Sequence, residues 1–147
     1  MHPKVSIVLS VFHPNLDNLK RTIDSISGQT FSDYELIIVK DDAEQATLVV
    51  IQEVKNTIKN LIIIDNMGNI GLVRSLNKAL KQANGSYIAR IDVGDWWHSQ
   101  KLHEQYHLMH KDGLILTGTQ VKLFSVDLSM LAKQISPFSD VEIRQRL

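Results

Sequence analysis

Four apolar runs in this sequence stop at polar residues, and three of the four stop at aspartate. The residues that follow the runs are Ser10-Val11-Phe12-His13, Lys40-Asp41-Asp42, Asp65-Asn66 and Asp92-Val93-Gly94-Asp95. If the runs are parallel strands, those carboxylates share one rim. Carboxylates on one rim repel one another unless a cation or a hydrogen-bonding ligand sits among them. That repulsion is the physical reason to expect a binding site on this rim. A second constellation competes. His103-Glu104-Gln105-Tyr106-His107 matches H-E-x-x-H on a predicted helix, the spacing that puts two histidines on one face for zinc, with the downstream acid Asp127 as a third ligand. Against zinc stand the chain's 6 histidines, which make a chance match ordinary, and the lack of a Gly-containing turn to bring His110 back onto the metal.

The elements that must position these groups alternate. Val5–Phe12 is an apolar, β-branched run of strand length that stops at His13-Pro14. Leu16, Leu19, Ile23 and Ile26 recur at helical spacing, with Asn15 as N-cap and Gly28 as the stop. Glu35–Lys40 is a second strand, Gln45–Ile58 a second helix and Leu61–Asp65 a third strand. After a turn-rich loop over Asn66–Gly71, Leu72–Ala83 is a third helix closed by Asn84-Gly85. Ser86–Asp92 is a fourth strand, and Ser99–Lys111 a fourth helix capped by Ser99. Leu114–Phe124 reads as a fifth strand or hairpin arm, and Ser139–Leu147 as the start of another helix. Alternating strands and helices predict an α/β fold, a mostly parallel sheet with helices on both faces. In such sheets ligands bind beyond the carboxyl ends of the strands.

Length and composition bound the function. At 147 residues the chain is expected to be a single domain over 1–147, cut off at its C-terminus inside a helix. With 16 basic and 16 acidic residues it carries no global field that would attract nucleic acid or anionic lipid. It has no cysteine, which excludes disulfides and thiolate chemistry and suits a cytoplasmic location. No apolar run approaches the ~20 residues of a membrane span.

Four blocks in order carry a resemblance: Pro3–Phe12 (PKVSIVLSVF), Ser25–Asp42 (SISGQTFSDYELIIVKDD), Gly68–Leu80 (GNIGLVRSLNKAL) and Gly85–Trp97 (GSYIARIDVGDWW). Together they resemble successive motifs of the family 2 glycosyltransferases, which have the Rossmann-like GT-A fold. The resemblance implies a donor domain that binds a nucleoside-diphosphate sugar, with uridine the commonest base, for inverting transfer to a carbohydrate or lipid-linked acceptor in surface polysaccharide synthesis. It implies that Val11, Phe12 and His13 hold the base and that Asp41 hydrogen-bonds it. Asp92 would face the ribose and a divalent metal, Mn2+ or Mg2+. The family's general base comes later in the chain, so it is expected beyond residue 147, and the fragment alone is expected to transfer sugar poorly.

One departure stands out. The family usually reads Asp-x-Asp at the fourth strand, and here Gly94 occupies the second position, leaving Asp95 as the other metal candidate. Bland alternatives exist for each residue: Asp41 and Asp42 as solvated turn residues, Asp95 as an acid favoured at a helix N-terminus, Arg74 as a solvent-facing helix residue, one of Trp96 and Trp97 as core. Gly94 also motivates a second function, a degenerate module that no longer catalyses. The zinc hydrolase is the third.

Overall fold

The computed structural model describes residues 2–125 and 127–134. Two compact units divide at His103/Glu104, where one domain is expected. In the first, β1 (Val5–Val11), β2 (Tyr34–Lys40), β3 (Leu61–Asp65) and β4 (Tyr87–Asp92) form a four-stranded sheet in the order β3-β2-β1-β4, with every pair parallel. The chain steps outward from β1 to β3 and then returns to lay β4 on the free side of β1. That reversal puts a topological switch point between the carboxyl ends of β1 and β4.

The central strands are buried on both faces, as their unbroken apolar sequences require. Ile7, Leu9, Leu36, Ile37, Ile38 and Val39 are fully buried. Val8, Ile37 and Val39 pack against Ala79 of α3 (Leu72–Gln82), with Ile62, Ile64 and Leu76 beside them. Strand residues of the other parity are covered as well. α1 (Leu16–Ser27) and α2 (Gln45–Glu53) touch each other and contribute the buried Leu19, Ile23, Ile26 and Ile51. Each such side chain removed from water is worth roughly 1.5–3 kcal/mol. Asn15 caps α1 as expected, accepting the Asn18 N–H at 3.0 Å, and Gly28 ends it.

Several expected boundaries move. The second helix gives way to a 3-10 turn at Val54–Asn56, short of Ile58. The fourth helix, α4, starts at Lys101 and runs to Asp112. Ser99 does not cap it; the Ser99 carbonyl instead accepts the Thr30 N–H at 2.9 Å. In the second unit only Val121–Phe124 (β5) of the expected 114–124 strand is extended, paired antiparallel with Met130–Gln134 (β6). The apolar residues Leu114, Ile115 and Leu116 fit a strand pattern, yet they stay exposed and outside the hairpin, so nothing fixes them as one. The helix expected at Ser139–Leu147 lies outside the described residues. Among the described residues no helix is long and apolar enough to cross a membrane.

Candidate functional site

An open cleft of about 270 Å3 lies at the switch point of the first unit. Ser10 and Phe12 line it from the end of β1, and Asp41 from the end of β2. Asp92 and Val93 line it from β4, and Asn69, Gly71 and Leu72 from the β3–α3 loop. Phe12, Asp41 and Asp92, expected from sequence, therefore meet on one surface. Val11, His13 and Asp95 do not line it. The Val11 side chain is fully buried, and its carbonyl accepts the Asp41 N–H at 2.7 Å. His13 turns aside: its ring lies 2.5 Å from Glu44, and its backbone N–H donates to the Asp42 carboxylate at 3.1 Å. His13 has φ 42, a left-handed conformation rare outside glycine and of the kind that gathers at binding sites. Phe12 leaves about half its surface in solvent (49%), presenting an aromatic ring to the cleft.

Both aspartates at the end of β2 are buried and hydrogen-bonded. Asp41 accepts the Ile70 N–H at 2.8 Å, the Gly71 N–H at 3.0 Å and the Asn66 amide at 2.9 Å. Burial alone would push its carboxyl up, but hydrogen bonds from Ile70, Asn66, Ser75 and Gly71 outweigh burial and hold it below the usual carboxylate range. Asp42 accepts from Glu44 N–H, His13 N–H and the Thr47 hydroxyl, with the buried Lys40 ammonium 3.3 Å away. Burial again opposes ionisation, and these donors together with the Lys40 charge again win. Neither is a solvated turn residue.

The acidic loop after β4 is a turn closed by the Asp95 N–H on the Asp92 carbonyl at 3.1 Å, with Gly94 at φ 97 as its third residue. That position favours glycine because φ is positive there. A row of polar groups on α1 holds the loop. Thr22 donates to the Asp95 carbonyl (2.8 Å) and accepts from Gly94 N–H (3.1 Å), and Ser25 accepts the Trp97 N–H (3.1 Å). Gln29 spans the rest, donating to the His98 carbonyl at 2.8 Å and accepting the Leu102 N–H at 3.0 Å. Asp95 titrates above the usual range, first because it is partly buried and then because the Asp92 charge is near. Arg90 donates to Asp92 at 2.7 Å.

For a divalent metal the protein thus offers two carboxylates at the ends of one turn. Among the described residues no group of three or more His, Asp or Glu could hold a metal ion by itself. The same finding leaves the H-E-x-x-H zinc reading without a site. The Asp127 carboxylate accepts from Ser125 and Ser129 within a local turn, and Tyr106 meets the rings of His107 and His110. Thr22, Ser25, Asn66, Asn69 and Ser75 are not singled out by the expected site. The available signal was polarity in a buried helical position, since Thr22 and Ser75 are fully buried on otherwise apolar faces.

With this geometry in hand, the family is clear. The model of glycosyl transferase family 2 matches residues 6–144, and the chain belongs to that family. It is 32% identical over 108 residues to UDP-Glc:alpha-D-GlcNAc-diphosphoundecaprenol beta-1,3-glucosyltransferase WfaP of Escherichia coli, covering 74% of this chain and 42% of that protein. Its fold is like that of S. aureus TarS 1-349 in complex with UDP, with a TM-score of 0.66 and 23% identity over 74% of this chain and 32% of that one. It is also like that of mannosyltransferase PcManGT from Pyrobaculum calidifontis in complex with GDP-Man and Mn2+, with a TM-score of 0.61 and 18% identity over 70% of this chain and 31% of that one. The chain spans about half or less of the length of the curated relatives it matches.

Proposed function

We propose that this chain is the donor-binding part of an inverting glycosyltransferase that uses a nucleoside-diphosphate sugar, with uridine as the base. The observation that carries the reading is the cleft at the β1/β4 switch point, where the Phe12 ring and the Asp92 carboxylate converge. Phe12 gives the base a face to stack on. Asp92 accepts a ribose hydroxyl. Asp92 and Asp95 fit a Mn2+ or Mg2+ ion only jointly with ligand oxygens, as such ions are commonly held by one or two carboxylates plus phosphates and water. When bound, that ion would neutralise charge on the diphosphate. Arg90 already sets one fixed positive charge beside Asp92.

In the reaction, the acceptor hydroxyl oxygen bonds to the anomeric carbon as the bond from that carbon to the diphosphate breaks. The hydroxyl proton passes to a general base. No residue here matches the family's base, so robust transfer is proposed to need residues outside these 147. The diphosphoundecaprenol-linked acceptor of WfaP supports a lipid-linked acceptor for this chain.

The test is a thermal-shift titration with UDP, GDP and dTDP, each with and without manganese. A nucleotide at 100 times its dissociation constant stabilises the fold by roughly 2.7 kcal/mol. A shift with UDP that grows with manganese is the expected result. No shift with any of the three would refute donor binding by this chain and favour the second reading, a degenerate module, which the glycine at position 94 motivates.

A further inference from the structure

We propose that Asp42 is a positioning residue: acting through His13, it sets the Phe12 ring as the face on which the nucleotide base stacks. This rests on the donor-binding reading above.

Packing alone does not fix Phe12, because about half of its surface lies in solvent where it lines the cleft. The residue after it supplies the brace. The His13 ring meets the Phe12 ring edge to face, with centroids 4.2 Å apart. His13 is itself held at φ 42, a conformation that an unrestrained histidine leaves. Two contacts hold it there. Its ring lies 2.5 Å from the Glu44 carboxylate, and its backbone N–H donates to Asp42 Oδ2 at 3.1 Å. That N–H belongs to the peptide that joins Phe12 to His13. The peptide is planar, so fixing its N–H fixes the direction in which the chain leaves Phe12.

Asp42 is placed to act as an anchor. Its side chain is fully buried and stands behind the cleft, not on its lining. Its two oxygens face four donors from three parts of the fold. Oδ1 accepts the Glu44 N–H at 2.9 Å and lies 3.3 Å from the Lys40 ammonium. Oδ2 accepts the Thr47 hydroxyl at 3.2 Å as well as the His13 N–H. Glu44 and Thr47 belong to the start of α2, where the helix dipole favours an anion. Lys40, buried at the end of β2, compensates the charge and also donates to the Asp42 carbonyl at 2.6 Å. Of the four donors, the His13 N–H is the one that leads to the cleft. It is also the one that an amide would lose. The Lys40 ammonium and the Glu44 N–H can only donate, so in Asp42→Asn the oxygen must stay on their side. The Thr47 hydroxyl can turn and accept, so the NH2 group takes the place of Oδ2, and the His13 N–H is left without its acceptor.

The experiment uses the 147-residue chain with UDP as the probe, titrated against the parent, Asp42→Asn, Phe12→Ala and the double variant. Urea unfolding checks that each is folded under the titration conditions. Proton shifts of uracil H5 and H6 in bound UDP report the stacking, since an aromatic face moves them upfield. Phe12→Ala is expected to weaken UDP by roughly tenfold or more. Asp42→Asn is expected to weaken it by roughly threefold to tenfold and to shrink the upfield shift. In the Phe12→Ala background it should weaken UDP no further, because it acts through that ring. A loss just as large in the Phe12→Ala background overturns the proposal, since Asp42 would then support the fold at large. An Asp42→Asn chain that binds UDP like the parent overturns it too. If Asp42→Asn does not fold, His13→Gly decides: glycine suits the positive φ but removes the ring brace and frees the loop. UDP affinity and uracil shifts equal to the parent's in His13→Gly overturn the proposal. A parent chain that binds none of UDP, GDP and dTDP refutes the donor reading and this one with it. A parent that binds UDP, beside a Phe12→Ala chain that binds it equally well, overturns this one alone.

Discussion

Gly94 stands where the family's second metal-binding aspartate is expected, and restoring that aspartate looks at first like a simple gain of function. The backbone argues otherwise. A Cβ at residue 94 would meet nothing within 4 Å, so space is not the obstacle; φ of +97 is. An L-residue held at positive φ costs roughly 1–2 kcal/mol. Gly94→Asp is therefore expected to lower the unfolding free energy by about that amount in a urea titration, without a large gain in manganese-dependent UDP affinity. A stable variant with a strong manganese response would show that the turn is free to rearrange. Asp95 is the carboxylate that the turn actually leaves beside Asp92. Its pKa is raised by burial first and by the nearby Asp92 charge second.

At the scale of elements, α1 does two jobs with one helix. Leu19, Ile23 and Ile26 fill the core, while Thr22 and Ser25, joined by Gln29 just past the helix end, fasten the acidic loop. Gln29→Ala leaves the buried Leu102 N–H without its acceptor, while the His98 carbonyl keeps the Lys101 N–H at 3.0 Å. The predicted loss is roughly 1–3 kcal/mol for that one unsatisfied group, measured by denaturant unfolding. Thr22→Val, which keeps the shape and removes the hydroxyl, is expected to leave the fold largely intact and to weaken UDP binding, since only the Gly94–Asp95 turn loses its anchor. Nucleotide binding unchanged in Thr22→Val would mean that the turn holds itself. These bonds also mark the limit of what the chain's pattern discloses. The strands and the first three helices are legible because their apolar periods are strong, and Phe12, Asp41 and Asp92 because they sit at strand ends. Of the strand or hairpin arm expected at Leu114–Phe124, the hairpin arm is present but confined to Val121–Phe124, because an apolar run alone does not specify how much of it finds a pairing partner. The hydrogen bonds around Asp41 were not legible either: its donors come from residues 25 to 34 positions away, a distance no local spacing encodes.

Over the whole molecule, pH dependence sums groups that the fold pushes in opposite directions. Asp41 and Asp42 are held below their ordinary range, opposed by burial and carried by their hydrogen bonds. Their folded pKa values lie below the unfolded ones, so the unfolded state binds more protons in between. The stability they give is complete above the unfolded aspartate pKa of about 3.9 and is lost as pH falls through the folded values. Lys101 behaves differently at the other end. Burial lowers it to about 8, while the Trp97 ring lies 4.0 Å from its ammonium. The ring face attracts the charge and its bulk excludes water, and exclusion of water wins. Between about 8 and an unfolded value of about 10.4 the unfolded chain again holds the extra proton, so stability rises with pH across that window. Denaturant midpoints measured from pH 2 to 10 should then show an acid limb that flattens in Asp41→Asn and an alkaline rise that disappears in Lys101→Met. In Lys101→Met the stability at pH 7 should equal or exceed that of the parent, because the variant buries no charge there. An alkaline rise that survives in Lys101→Met would assign it to another group, and a destabilised Lys101→Met at pH 7 would mean that the contact with Trp97 outweighs the burial of the ammonium.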